Sequence, residues 1–261
     1  EEFTNKGYKS AVITANTSSN ERAEILEKFK NDERVEAIAL GGSRAGENFD
    51  EKSDYDIYVY YNEMIPEKER KEIYLEVCSK IEIGNHYWEY EDNGVLNDGV
   101  EFDVVYRKLD DFINGISYVV DKCNSHNGYT TCMWHNLINC KILFDKNKKL
   151  EKYQKQYSID YPKKLKENII LRNMNLLSDA LPAYKGQIKK ATGRADVVSI
   201  NHRITEFLAS YFDLLFAINE ITHPGEKRLI QLCKKQCKIL PENFEENLNS
   251  LFSHMYSEEN Q

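Results

Sequence analysis

The chain has 261 residues, with 35 Lys and Arg against 43 Asp and Glu (net charge −8), 41% hydrophobic and 11% aromatic side chains, and six cysteines. This composition is globular rather than disordered, and the length suffices to bury a core without disulfide or metal staples. The acidic balance excludes a general nucleic-acid coat protein, which needs a positive field, but leaves room for a nucleotide site that needs only local positive charge.

The longest apolar stretch, near 208–218, is interrupted by Asp213 and is too short to span a bilayer, so no membrane contact is expected. The sequence as given opens Glu1-Glu2-Phe3, without a basic segment followed by an apolar run. Cys78, Cys123, Cys132, Cys140, Cys233 and Cys237 show no CxxC spacing, which predicts reduced thiols in a cytoplasmic protein.

In chain order, residues 21–30 read as a helix with Asn20 as N-cap and Ile25, Leu26 and Phe29 on one face. Residues 35–40 are a short apolar strand running into Gly41-Gly42-Ser43, and 55–61 a second strand rich in β-branched and aromatic residues. Pro66 opens a charged helix predicted to reach about 81. Strands are expected at 86–90 and 100–106, separated by the turn-rich Asp92-Asn93-Gly94 and Asn97-Asp98-Gly99, with a helix from about 110. Beyond 145 the pattern becomes helical, with long helices predicted at 161–181, 197–220, 226–238 and 242–256. The charge shifts at nearly the same place, from −10 over 1–150 to +2 over 151–261. The predicted fold class is therefore α+β: a small mixed β-sheet with flanking helices over 1–145, then an α-helical bundle over 146–261.

The chemistry concentrates between the first two strands. Asp54 and Asp56, two residues apart, point to the same face of a strand with Cα atoms about 6.6 Å apart. Strands disfavour Asp, and two such carboxylates repel, so a cation should offset them; hard oxygen ligands suit Mg²⁺. In Val100-Glu101-Phe102-Asp103-Val104-Val105 two further acids interrupt an apolar strand, and an acid there is expensive without a partner. A carboxylate from this strand, Glu101 or Asp103, would complete a two-metal site around a phosphoryl centre. Gly42 permits close backbone approach, a helix starting there would present free N–H groups to a triphosphate, and the Ser43 hydroxyl adds a donor.

This combination resembles the nucleotidyltransferase superfamily that includes DNA polymerase beta: apolar strand, Gly-Ser, about a dozen residues, Asp-x-Asp, and a third Asp on a later strand. The resemblance spans about 35–106. It implies that Asp54, Asp56 and Asp103 hold two Mg²⁺ ions, that Asp103 helps deprotonate an acceptor hydroxyl, and that Gly42, Ser43 and Arg44 contact the phosphates of ATP or another nucleoside triphosphate. Where many relatives carry an Arg-Gly pair, this chain has Arg44-Ala45-Gly46-Glu47. The helical second half is similar to single-chain lincosamide and aminoglycoside nucleotidyltransferases. The segment His223-Pro224-Gly225-Glu226-Lys227-Arg228-Leu229 resembles one in bacterial members of that layout, which points to Lys227 and Arg228 as further phosphate contacts.

The function so implied is transfer of a nucleoside monophosphate, AMP from ATP, to a hydroxyl of a small molecule, with release of pyrophosphate. Glu101, and Trp88 and Glu89 in an acidic, aromatic segment, are candidates for acceptor contacts. Two other readings stand beside it: a protein- or RNA-modifying transferase, and a non-catalytic nucleotide-binding module. The absence of GxxxxGK[ST] and of His-Arg-Asp with Asp-Phe-Gly sets aside P-loop and kinase-type phosphate chemistry.

Overall fold

The computed structural model describes residues 19–45 and 54–255; the side chains of 19–22 and of Ser43 lie outside the described set. Among these residues the chain divides into two compact units. One comprises the residues up to Asn114 with Asn136–Ser158, the other Gly115–His135 with Ile159–Gln261. This differs from a single cut at 145/146. Two of the three divisions fall inside helices Leu109–Val120 (α4) and Cys132–Asn139 (α5), where nothing in local composition marks a boundary, and the third falls between helices at Ser158/Ile159.

The first unit is built on a six-stranded mixed sheet of order β3-β4-β5-β2-β1-β6. Its strands are Val35–Leu40 (β1), Tyr55–Tyr61 (β2), Cys78–Asn85 (β3), Glu91–Leu96 (β4), Glu101–Lys108 (β5) and Lys141–Asp145 (β6). Only β2 and β5 run parallel; the other neighbours are antiparallel. Helices Ser19–Lys30 (α1) and Glu67–Tyr74 (α3) supply the apolar cover of one face. There Ile25, Leu26 and Phe29 pack with Ile38, Val59, Val104 and Tyr106, all buried, and Phe29 meets Tyr74 and Tyr106 edge-on. The turn Gly42–Ala45 (α2) follows β1, and Lys149–Tyr157 (α6) follows β6.

β1 and β2 have the bounds read from the sequence, while four expectations change. The helix from Pro66 ends at Tyr74, and the residues expected to continue it to 81 form β3 from Cys78 onward. Residues 86–90 are the β3–β4 connection, and the expected turn 92–94 lies in the middle of β4. The physical reason is tertiary. Asp92 sits fully buried on the core face of β4, its carboxylate accepting from Arg70 Nε (2.9 Å), Tyr106 Oη (2.8 Å) and the Gly84 amide (2.8 Å). Gly94 is needed because a Cβ there would come 2.5 Å from the Phe102 ring. A run that looks like turn chemistry is thus held as a strand by a buried ion pair and a close ring. Finally, α5, β6 and α6 were not expected as separate elements; their alternation is too short to stand out against the charged background.

In the second unit the helices are Lys163–Met174 (α7), continued by a π-helical turn at Asn175–Asp179, then Tyr184–Thr192 (α8), Val197–Ile218 (α9), Leu229–Gln236 (α10) and Phe244–His254 (α11). Three of the four long helices predicted are thus close to expectation. The first is broken by the π turn, and α8 forms across Gly186. Asp196 caps α9, accepting from the Ser199 amide at 3.0 Å. Phe212, Leu215 and Phe216 of α9 pack with Cys233, Phe244 and Leu248. Buried Asp213 accepts from the Thr130 amide and hydroxyl (2.9 and 2.7 Å) and from Asn173 Nδ2 (3.0 Å), which fastens the 121–131 loop to α9 and α7. All six cysteines are free thiols. Among the described residues, no helix is long and apolar enough to cross a membrane.

Candidate active site

The sheet face opposite the α1/α3 core carries the predicted acids. Side chains alternate along a strand, so Asp56, Tyr58 and Tyr60 share this face of β2. Asp103, Val105 and Arg107 share it on β5, and Glu91, Asn93 and Val95 on β4. The parallel register sets Asp56 directly opposite Asp103, and the antiparallel register on the other side sets Asn93 opposite Asp103. Three residues from three strands therefore stand in one row, Asn93–Asp103–Asp56.

Each member is held. Asn93 Nδ2 donates to Asp103 Oδ1 at 2.7 Å, and Asn93 Oδ1 accepts from Asn85 Nδ2. The Asp56 carbonyl accepts from the Gly41 amide at 2.8 Å, which binds the end of β1 to the start of β2. Gly42 has φ +56, and a Cβ on it would lie 1.7 Å from Asp56 Oδ2. A Cβ on Gly41 would lie 2.0 Å from the Tyr58 ring. The two glycines are thus the space in which the Asp56 carboxylate and the Tyr58 ring sit.

The next rows add charge and aromatic walls. Arg107 is buried, donates from Nε to Glu89 Oε2 at 2.8 Å and from Nη1 to Asn136 Oδ1 at 2.9 Å, and lies 4.2 Å from the Tyr58 ring centroid. Asn136 Nδ2 in turn donates to the Tyr58 hydroxyl at 2.7 Å. Burial is the largest influence on the Arg107 guanidinium and works against its charge, but the Glu89 hydrogen bond and charge together with Tyr60 and Tyr58 hold it above its ordinary value. Burial pushes the Tyr58 hydroxyl up, opposed by the Arg107 charge and the Asn136 bond. Burial also raises the Glu91 carboxyl; a hydrogen bond from Asn93 opposes this, while the charges of Asp103, Glu89 and Asp56 add to it.

The predicted site residues fall into place unevenly. Asp56 and Asp103 are neighbours; Asp54 lies one residue before β2 and is half-buried. Glu101 is exposed at the start of β5 and pairs with Val95, so the register brings Asp103 rather than Glu101 beside Asp56. Gly42 abuts Asp56, whereas the Ser43 side chain lies outside the described residues. Arg44 lies over the Tyr55 ring, 4.0 Å from its centroid. Tyr55 precedes Asp56 in β2, so that ring points to the other face of the sheet. Glu89 is engaged by Arg107, and Trp88 is 89% exposed in the β3–β4 connection. Lys227 and Arg228 belong to the helical unit, where Arg228 lines a largely apolar cavity of about 460 Å³ with Tyr129, Phe212, Leu229, Leu248 and Phe252.

Residues 23–88 match the family Polymerase beta, Nucleotidyltransferase. This segment is similar to nucleotidyltransferase domains. The match covers α1 from Ala23 onward, the β1–Gly42 junction, β2 with Asp56, α3 and β3, and ends before Glu91, Asn93 and Asp103. No curated protein matches the chain. Among solved structures the chain is similar to an aminoglycoside 6-adenyltransferase from Bacillus subtilis, with 15% identity, 91% of this chain and 86% of that chain covered, and a TM-score of 0.30. It is also similar to a nucleotidyltransferase-like protein from Exiguobacterium sibiricum 255-15, with 12% identity, 87% and 69% covered, and a TM-score of 0.38.

Asp56 of the matched segment and Asp103 of β5 together offer a hard-oxygen donor set suited to a divalent cation. The notch at Gly42, which any Cβ would fill, opens on the same carboxylate. Among the described residues no three Asp, Glu, His or Cys side chains, the predicted Asp54, Asp56 and Asp103 included, come together as a group that could hold a metal ion. Mg²⁺ is commonly held by one or two carboxylates, with substrate phosphates and waters completing its shell, so this open donor set fits it.

Residues that the sequence reading passed over are Asn93, Glu91, Tyr58, Arg107 and Asn136. No local signal marks Glu91 and Asn93: half-buried and buried residues alternate strictly from Glu91 to Leu96 only in the folded sheet, while in sequence Asp92-Asn93-Gly94 reads as a turn.

Proposed function

We propose that the protein is a metal-dependent nucleotidyltransferase that moves a nucleoside monophosphate, AMP from ATP, to a hydroxyl of a small molecule and releases pyrophosphate. The observation that carries this reading is the Asp56–Asp103 pair in register across a parallel ladder, with Gly42 packed against the Asp56 carboxylate inside a matched nucleotidyltransferase segment. Like charges directly opposite each other destabilise a sheet, and a site that retains them has a use for a cation.

In this reading Asp56 and Asp103, with Asp54 at the entry to β2, hold Mg²⁺. The bound ions supply charge neutralisation at the transferring phosphoryl group. Gly42 and Ser43 take the β- and γ-phosphate side. Arg107, neutralised by Glu89 and fixed by Asn136, braces the Tyr58 ring against Gly41 and so keeps the β1–β2 junction in shape. Catalysis then comes chiefly from positioning and preorganised charge. The sequence resemblance implies an aminoglycoside or lincosamide antibiotic as the acceptor class, and a cytoplasmic location accords with the free thiols.

The test is transfer of label from α-labelled ATP, with Mg²⁺, to a panel of such antibiotics, with mass spectrometry of a treated lysate alongside. Label on a small molecule supports the reading. Label only on protein or RNA moves the acceptor to those classes. Tight Mg·ATP binding with no product in either assay overturns transfer altogether.

A further inference from the structure

Asn93 stands in the middle of β4, a strand with a neighbour on each side, although strands disfavour Asn. Its side chain makes two ordered bonds on the site face. Oδ1 accepts from Asn85 Nδ2 at 2.5 Å, and Nδ2 donates to Asp103 Oδ1 at 2.7 Å. An amide carries its acceptor at one end and its donors at the other, so the bond from Asn85 decides that the NH₂ end faces Asp103.

The end of β3 is shaped to make that bond. The β3–β4 register shifts between Glu82 and Asn85, where Gly84 takes φ +74 and its amide donates to the buried Asp92 carboxylate at 2.8 Å. An irregularity of this kind re-aims the side chain beside it. Here it brings Asn85, whose ladder partner is Glu91, within hydrogen-bond reach of Asn93. The relay Asn85–Asn93–Asp103 crosses three strands and ends on the acid opposite Asp56.

The relay leaves the two oxygens of Asp103 unequal. Oδ1 is engaged by Asn93, and no hydrogen bond from the described residues reaches Oδ2. A carboxylate tied at one oxygen and fixed in orientation offers a cation a single preset oxygen. Such a donor suits Mg²⁺, which demands near-ideal octahedral geometry. It suits Ca²⁺ less, because Ca²⁺ takes about six to eight oxygens in flexible geometry and accepts carboxylates through both oxygens.

We infer that Asn93, held by Asn85, is a positioning residue that presents Asp103 through one oxygen and so makes the site select Mg²⁺ over Ca²⁺. The inference rests on the transferase reading, which puts a divalent ion on Asp56 and Asp103, and deepens it by naming the residue that decides which ion is taken.

The experiment uses the full chain and the variants Asn93→Val, Asn85→Ala and Asp103→Asn, each checked for its fold by circular dichroism. Mn²⁺ uptake is followed by electron paramagnetic resonance. Mg²⁺ and Ca²⁺ are then titrated against bound Mn²⁺ without nucleotide, which gives a dissociation constant for each ion. Asn93→Val is expected to bind Mg²⁺ about 10–100-fold more weakly while its Ca²⁺ constant stays within about threefold of wild type, so the preference for Mg²⁺ falls. Asn85→Ala keeps Asn93 but frees its amide to turn, and should shift the preference the same way by a smaller factor. Asp103→Asn should lose both ions together. A preference in Asn93→Val within about threefold of wild type, whether both constants worsen together or neither moves, overturns the inference alone, because Asn93 then only supports the sheet. Should Asn93→Val fail to fold, an unaltered preference in Asn85→Ala overturns it. A wild type that takes up no Mn²⁺, with or without ATP, overturns the metal site of the transferase reading, and this inference with it.

Discussion

Asp56 and Asp103 are direct partners in the parallel ladder of β2 and β5, two carboxylates on adjacent strands about 4.8 Å apart at the backbone. At an effective dielectric of about 20 their mutual repulsion is on the order of a few kcal/mol. Removing one charge should therefore stabilise the metal-free protein while removing its use. Asp103→Asn is expected to raise the melting temperature without Mg²⁺ by roughly 2–4 °C, for about 1 kcal/mol, and to abolish the further rise that Mg²⁺ gives the wild type. Thermal melts with and without Mg²⁺ read both effects. A variant that melts lower than wild type in the absence of metal contradicts the repulsion.

Gly42 should tolerate no side chain. Its φ of +56 already disfavours other residues, and a Cβ would displace the Asp56 carboxylate. Gly42→Ala is expected to cost about 1–3 kcal/mol and to weaken Mg·ATP binding at least tenfold. Gly41→Ala, which meets the Tyr58 ring instead, should cost similar stability with a smaller loss of binding. Urea melts together with nucleotide titration separate the two.

The Arg70–Asp92 pair is completely buried, with Tyr74 and Tyr106 also hydrogen-bonded to the carboxylate. Replacing both partners by apolar groups need not be costly, but removing one leaves an uncompensated charge in the core. Asp92→Asn should destabilise the sheet unit by about 3–5 kcal/mol, visible as a lower urea midpoint. Removing either member of the exposed pair Lys80–Glu82 should leave the urea midpoint nearly unchanged.

His223 gives the helical unit an acid sensitivity. Its side chain is buried between the Tyr129 and Phe216 rings, with Nδ1 accepting from the Gly225 amide, and burial together with the neighbouring His135 lowers its pKa from 6.5 to about 4. The unfolded chain therefore binds a proton that the folded one refuses. Stability is complete above about pH 6.5 and falls as the pH drops from there towards 4, by on the order of 3 kcal/mol for this group. His223→Phe should flatten that part of the stability–pH curve, measured by urea unfolding followed by circular dichroism. An unaltered slope assigns the acid loss to other groups.

Much of the sheet was legible locally. The β1 and β2 runs announce themselves by apolar and β-branched residues, and Asp54-x-Asp56 after a double glycine marks where chemistry belongs. β4 was not legible, because Asp92, Asn93 and Gly94 are turn formers by propensity. They form a strand only because Arg70 neutralises Asp92, and Phe102 packs against Gly94, from segments far away in the chain.

The sequence by itself determined the residue types of the site, the acids and glycines whose desolvation and steric cost make no sense on an ordinary strand, together with the helical character of the second half. The tertiary structure alone decided which acid stands beside which. Register between β2 and β5 selected Asp103 over Glu101 as the neighbour of Asp56, and pairing of β4 brought Asn93 and Glu91 alongside. Strand pairing is a contact between distant segments whose alignment no local pattern encodes, since a slip of one residue would turn every side chain to the opposite face.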